Sequence, residues 1–90
     1  MNDATVITVS KDQTFTVLDN ETVIVNLAAG TYYSLDAIGT RVWELIQKPT
    51  SIADVCAVLV QEYQVEESQC RDDVFDLLDT LAAEGLLQVH

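Results

Sequence analysis

The first third of the chain carries the residue pattern of short β-strands. Val6-Ile7-Thr8-Val9 and Thr14-Phe15-Thr16-Val17-Leu18 are rich in β-branched and aromatic residues, which pack well on a pleated, half-buried surface. Asp19-Asn20-Glu21 is a turn-forming cluster, because short polar side chains bond their own backbone. Thr22-Val23-Ile24-Val25-Asn26-Leu27 follows as a nearly continuous apolar strand. Ala28-Ala29-Gly30 supplies a short connection, with Gly30 free to take positive φ. Thr31-Tyr32-Tyr33-Ser34-Leu35 then reads as a last, short strand. Segments 14–18, 22–27 and 31–35 therefore predict an antiparallel meander. Residues 6–9 fit either a separate strand or the start of the first.

From residue 36 the hydrophobic period lengthens. Asp36 can N-cap the stretch Ala37 to Gln47, in which Ile38, Val42, Leu45 and Ile46 recur at helical spacing with Trp43 beside them. Pro49 ends that helix. Ser51 caps a second one, Ile52 to Tyr63, whose apolar face is Ile52, Val55, Cys56, Leu59 and Val60. Asp54, three residues after Ser51, is close to the capping-box pattern. A third helix runs from about Glu67 to Ala83, with Cys70, Val74, Leu77, Leu78 and Leu81 on its apolar side. Gly85 is a helix-stopping residue, and Leu86-Leu87-Gln88-Val89 is apolar enough to pack back onto the body of the protein. Three strands followed by three helices predict an α+β fold, a three-stranded antiparallel sheet with helices against it. The same order suits a winged helix-turn-helix. With 90 residues and no linker, repeat or low-complexity run, residues 1–90 read as a single domain.

Charge narrows the partners. The formal net charge is −11, from 15 acidic and four basic side chains. Four bases cannot build a phosphate-binding surface, so nucleic acid is disfavoured, and an anionic membrane surface with it. No apolar run approaches the ~18 residues that span a bilayer, and the N-terminus lacks the features of a secretory signal. The cytoplasm is the expected compartment. Eight acids lie between Glu62 and Glu84, against Arg71 alone. Asp72, Asp76 and Asp79 fall on one side of the third helix, at i, i+4 and i+7. That stripe fits a solvated face that keeps a small protein in solution. It equally fits an electrostatic lip beside a groove for a basic peptide, where complementarity raises association rate and specificity.

Candidate chemistry is sparse. His90 is the only histidine, and Cys56 and Cys70 form no CxxC pair, so a zinc site lacks ligands. The cysteines read as small buried hydrophobes. The acids lie on faces that the apolar pattern marks as exposed, whereas a catalytic carboxylate usually needs burial or a close partner. No cofactor motif is present, and neither a cofactor nor enzymatic activity is expected. What remains is the edge of the meander. Thr31, Tyr32, Tyr33, Ser34 and Leu35 form a final strand with no charge, and its outer backbone groups have no partner within the sheet. Tyr32 and Tyr33 point to opposite faces. One of them could be core and the other plain surface, or the edge could accept an extended peptide by β-augmentation.

The run Gly30-Thr31-Tyr32-Tyr33-Ser34-Leu35-Asp36-Ala37-Ile38-Gly39-Thr40-Arg41-Val42-Trp43-Glu44-Leu45-Ile46 resembles the core of PqqD-like proteins. There a G-x-Y-Y-x-L-N-x-x-G-x-x-I-W-x-L pattern leads from the last strand into the first helix. Ile52 to Tyr63 with Gln64-Val65-Glu66, and Leu78 to Leu87, are similar too, so the resemblance covers roughly residues 14–88. Asp36 stands where Asn is commoner, and both residues cap helices well. The resemblance implies a RiPP recognition element, where RiPP denotes a ribosomally made, post-translationally modified peptide. It implies a winged helix-turn-helix that binds a precursor's leader peptide as a fourth, antiparallel strand, in a groove walled by the third helix. It implies delivery of that precursor to a leader peptidase or another modifying enzyme. The Tyr-Tyr-x-Leu and Gly-x-x-x-Trp features look most like the free-standing, lasso-peptide type. Carried onto this chain, the peptide-binding residues would be Thr31, Tyr32, Tyr33, Ser34 and Leu35. Asp72, Phe75, Asp76 and Asp79 would stand on the groove wall, with Phe75 lining a pocket or closing the core edge. Two rivals share these features: a winged-helix transcriptional regulator, against which the acidic third helix speaks, and a small module that forms a weak homodimer through the same edge strand.

Overall fold

The computed structural model describes residues 1–11 and 13–90. In chain order its elements are β1 (Val6–Val9), β2 (Gln13–Leu18), β3 (Glu21–Asn26), β4 (Thr31–Leu35), α1 (Ala37–Leu45), β5 (Thr50–Ser51), α2 (Ile52–Tyr63), α3 (Glu67–Ala83) and β6 (Leu87–Val89). The architecture is α+β with antiparallel pairing throughout. The expectation of one three-stranded sheet is corrected: the described residues form two, β2-β3-β4 and β5-β1-β6. Residues 6–9 are a separate strand, and Ile7 pairs with both Thr50 and Val89. The partners β5 and β6 are two and three residues long, too short to show a period-2 pattern. Their pairing joins the two ends of the chain, which no local signal reports.

Helix α1 stops at Leu45, short of the expected Gln47. The Ile46 carbonyl accepts the Val9 N–H at 3.1 Å and the Thr8 hydroxyl at 3.1 Å. The second sheet thus competes with the next helical turn and wins. The N-caps form as the sequence predicts. Asp36 Oδ1 accepts the Gly39 N–H at 2.8 Å, and Ser51 Oγ accepts the Asp54 N–H at 3.1 Å.

The core lies between the two sheets and the helices. Trp43, Ile7, Ile24, Ile46, Leu59 and Leu78 are all but sealed from solvent. Phe15 meets Trp43 edge-on, with ring centroids 5.7 Å apart and planes at 80°. Such geometry suits two ring quadrupoles. Two polar links fix the meander against the helices. Inside the core Thr22 Oγ1 donates to Thr40 Oγ1 at 2.8 Å, joining β3 to α1. Asn26, buried at the end of β3, donates through Nδ2 to the Glu84 carbonyl at the foot of α3, at 2.9 Å. Its Oδ1 accepts the Ala28 and Ala29 N–H groups, each at 3.1 Å.

Arg41 grips Glu62 with two bonds of 2.8 and 2.9 Å, tying α1 to the end of α2. This guanidinium holds the Glu62 carboxyl below its ordinary pKa. Arg71 pairs with Asp3 at 2.5 Å. Both arginines are therefore engaged internally.

Candidate functional site

The free edge of β4 can be phased from its turns. Strands β2 and β3 are joined by the two residues Asp19 and Asn20, both at positive φ (48° and 66°). This is a type I′ hairpin, in which the flanking pair Leu18–Glu21 exchanges both backbone bonds. Antiparallel ladders alternate hydrogen-bonded with non-bonded pairs. Glu21, Val23 and Val25 thus turn their backbone groups to β2, and Thr22, Ile24 and Asn26 turn theirs to β4. Their partners Leu35, Tyr33 and Thr31 are consumed by the sheet. The N–H and C=O groups of Tyr32 and Ser34 therefore point outward, along the open edge. The β3–β4 connection is consistent with this phase. Gly30, at φ 70°, donates to the Asn26 carbonyl at 2.9 Å, closing a loop in which a side chain would strain the backbone.

Side chains follow the same register. Tyr33 and Leu35 face inward with Ile24 and Thr22, while Tyr32 and Ser34 share the outer face with Val25 and Val23. Leu35 is buried, Tyr33 is half-buried against the core, and Tyr32 is 77% exposed. Thr31 and Ser34 are exposed.

Between this edge and α3 runs a cleft of about 450 Å³. Its walls include Tyr33, Ser34, Leu35 and Asp36 on one side and Asp73 and Leu77 on the other. Gly39 lets α1 close one end: a Cβ there would stand 3.1 Å from the Leu35 Cβ and 3.3 Å from Asp36 Oδ1. The glycine of the Gly-x-x-x-Trp feature thus permits the tight strand-to-helix corner, and Trp43, one turn on, fills the core beneath it. The cleft continues into an apolar pocket of about 110 Å³ among α1, α2 and α3, lined by Ile38, Val42, Tyr63, Val65 and Leu77. Ile38, Asp73 and Leu77 line both spaces.

The sequence-predicted residues of α3 sit differently. At 3.6 residues per turn, Phe75 is turned roughly 200° from Asp73 around the helix. It is half-buried and packs against the core, the edge-closing alternative of the two expected for it. Asp72, Asp76 and Asp79 are exposed. They point away from the core, turned from Asp73 by roughly 100°, 60° and 120° respectively, and none lines the cleft. The groove-facing residues that sequence reasoning missed are Asp73, Leu77, Ile38, Tyr63 and Val65. A faint signal existed: Tyr63 and Val65 are large apolar groups at the end of an already complete helical stripe. Ile38 belonged to the α1 stripe and is instead 44% exposed at the pocket.

Elsewhere the chemistry is quiet. Cys56 and Cys70 are free and buried. Burial, reinforced by the neighbouring Cys70, raises the Cys56 thiol to about 11, which disfavours the nucleophilic thiolate. Among the described residues no group of acids, cysteines and histidine could hold a metal ion. No described helix is long and apolar enough to cross a membrane.

Two solved structures share this architecture. TbiB1, solved in complex with the TbiA(beta) leader peptide, matches with a TM-score of 0.84 at 31% identity, over 90% of this chain and 94% of its own. A lasso peptide synthetase B1, complexed with the leader peptide, matches with a TM-score of 0.81 at 22% identity, over 91% and 96% of the two chains. At that identity the second likeness speaks for the fold alone. The family described as Coenzyme PQQ synthesis protein D (PqqD) matches residues 21–87. No curated protein matches.

Proposed function

The chain belongs to the PqqD family, and from that membership we propose that it is a non-catalytic recognition module for the leader of a ribosomally made precursor peptide. The leader adds to β4 as an antiparallel strand, bonded to the outward backbone groups of Tyr32 and Ser34. Alternate leader side chains drop into the cleft between Tyr33, Leu35 and α3. The observation that carries this reading is the uncharged, unpaired β4 edge, which opens onto a cleft whose far wall is Asp73 and Leu77. It is supported by likeness to TbiB1, a protein solved with a leader peptide at 31% identity.

In this reading residues 1–90 act as one winged helix-turn-helix domain, with β2-β3-β4 as the wing. It works in the cytoplasm, where its precursor is made. The bound precursor is passed to a leader peptidase or another modifying enzyme of a lasso-type pathway. Asp72, Asp76 and Asp79 do not touch the leader; they supply a negative field that speeds the approach of a basic one. That field also opposes the regulator alternative, because the helix that would enter the major groove is the most acidic part of the chain.

The test is fluorescence polarisation with the leader of the cognate precursor peptide, to be sought as a short open reading frame among the neighbouring genes. Saturable binding that the core peptide alone does not compete is the expected result. No binding by the folded wild type would sink the reading. A gel shift with DNA at low salt would move the protein to the regulator class.

A further inference from the structure

Resting on the leader-binding reading, the geometry points to Asp73 as a specificity residue: it selects a Lys or Arg of the bound peptide, next to a bulky apolar residue seated in the Ile38–Tyr63 pocket. Asp73 stands where the two spaces meet, lining both the β4 cleft and the apolar pocket. Its Oδ1 accepts from Gln69 Nε2 at 3.0 Å. Its Oδ2 has no partner among the described residues. The other carboxylate at the cleft, Asp36, already caps α1 through Oδ1. Among the described residues no Lys, Arg or His lines either space. Asp36 lines the cleft but not the apolar pocket, so a cationic side chain placed at the junction of the two spaces meets the Asp73 carboxylate and no competing base among the described residues.

Chain direction gives the selection a place in the peptide. Strand β4 runs from Thr31 to Leu35, and the pocket lies beyond Leu35, against α1 and α3. An antiparallel peptide therefore reaches the pocket with residues on the N-terminal side of its paired segment. Strand pairing ends there, because Asp36 turns the chain into α1. Beyond that point the peptide is held by side chains alone. The walls accept an aliphatic or aromatic group, and the carboxylate at the rim accepts an adjacent base. An exposed charge pair of this kind favours the base over a neutral residue by up to about fivefold. Reversing the charge inverts the preference.

The experiment pans a randomised, mRNA-displayed peptide library against the full chain as wild type, Asp73→Lys and Asp76→Lys, each checked for folding by circular dichroism. Asp73 is exposed, so its substitution leaves the core intact. The wild-type pool is expected to carry Lys or Arg at one position beside a bulky apolar residue, just N-terminal to a strand-forming segment. Asp73→Lys should replace that base with Asp or Glu. Asp76→Lys makes the same change in net charge and should leave the position basic. A wild-type pool without a positional base, or a base preference that survives in Asp73→Lys, overturns the inference. Every selected peptide is also tested against Ser34→Pro. If binding depends on the β4 edge but is blind to the base, Asp73 loses its role and the leader reading stands. If no selected peptide depends on that edge, the leader reading falls and this inference with it.

Discussion

Replacing Ser34 by proline should weaken peptide capture severely while leaving the fold nearly untouched. The phase of the meander turns the Ser34 N–H outward, so proline removes a donor that the sheet does not use. Proline is tolerated on an edge strand in that position. Its ring also projects where the incoming strand must lie. For binding, one intermolecular hydrogen bond disappears and the facing peptide carbonyl is left buried without a donor. The lost bond counts for about 1 kcal/mol and the stranded carbonyl for about 1–3 kcal/mol. Together they weaken binding by roughly 30- to 1,000-fold. Ser34→Ala keeps the N–H and should bind like the wild type.

Tyr33→Pro is the informative contrast. Tyr33 pairs with Ile24, and its N–H points into the sheet, so proline there breaks the β3–β4 ladder and lowers stability by about 1–3 kcal/mol. Urea denaturation and fluorescence polarisation, run on all three variants, separate the two effects. A folded Ser34→Pro protein that binds the leader with wild-type affinity would refute the edge as the docking site. A Ser34→Pro protein destabilised as much as Tyr33→Pro would refute the backbone phase itself.

Asp36→Ala removes the acceptor of the Gly39 N–H and should cost about 1 kcal/mol in urea denaturation; an unchanged midpoint would mean that the cap contributes nothing. Thr40→Val leaves the buried Thr22 hydroxyl without its 2.8 Å partner and should destabilise by about 1–3 kcal/mol. The double change Thr22→Val with Thr40→Val should recover much of that loss, so strictly additive losses would contradict the pairing. The Cys56 thiol is raised in the folded state from 9.0 to about 11, so the folded protein keeps a proton that the unfolded chain has released. This contribution to stability is fully present below pH 9 and falls as pH rises toward 11, and the decline should shrink in Cys56→Ala, the remainder belonging to Cys70, whose thiol burial also raises.

How much of this was legible in the sequence varies by element. The meander and all three helices were, because each rests on a local pattern: β-branched and aromatic runs closed by turn residues, helical spacing, and caps at Asp36 and Ser51 that form as expected. The edge strand Thr31–Leu35 was legible for the same reason, being last in a run of strands and uncharged. The second sheet was not, because β5 and β6 are stubs whose pairing depends on partners far along the chain. The face of α3 that looks at β4 was not legible either. A helical repeat separates the apolar stripe from the polar side, but it does not say which flank meets a neighbouring element. Asp73 and the Asp72, Asp76 and Asp79 set are alike in sequence, and only the docking of α3, anchored where Glu84 meets Asn26, turns Asp73 to the cleft. The sequence by itself determined the local elements, the acidity and the open edge, since short-range sterics, hydrogen bonding and composition suffice for those. Only the tertiary structure decided the two-sheet division, the outward phase of Tyr32 and Ser34, and which acid faces the groove, because each is a relation between segments that meet only in the folded chain.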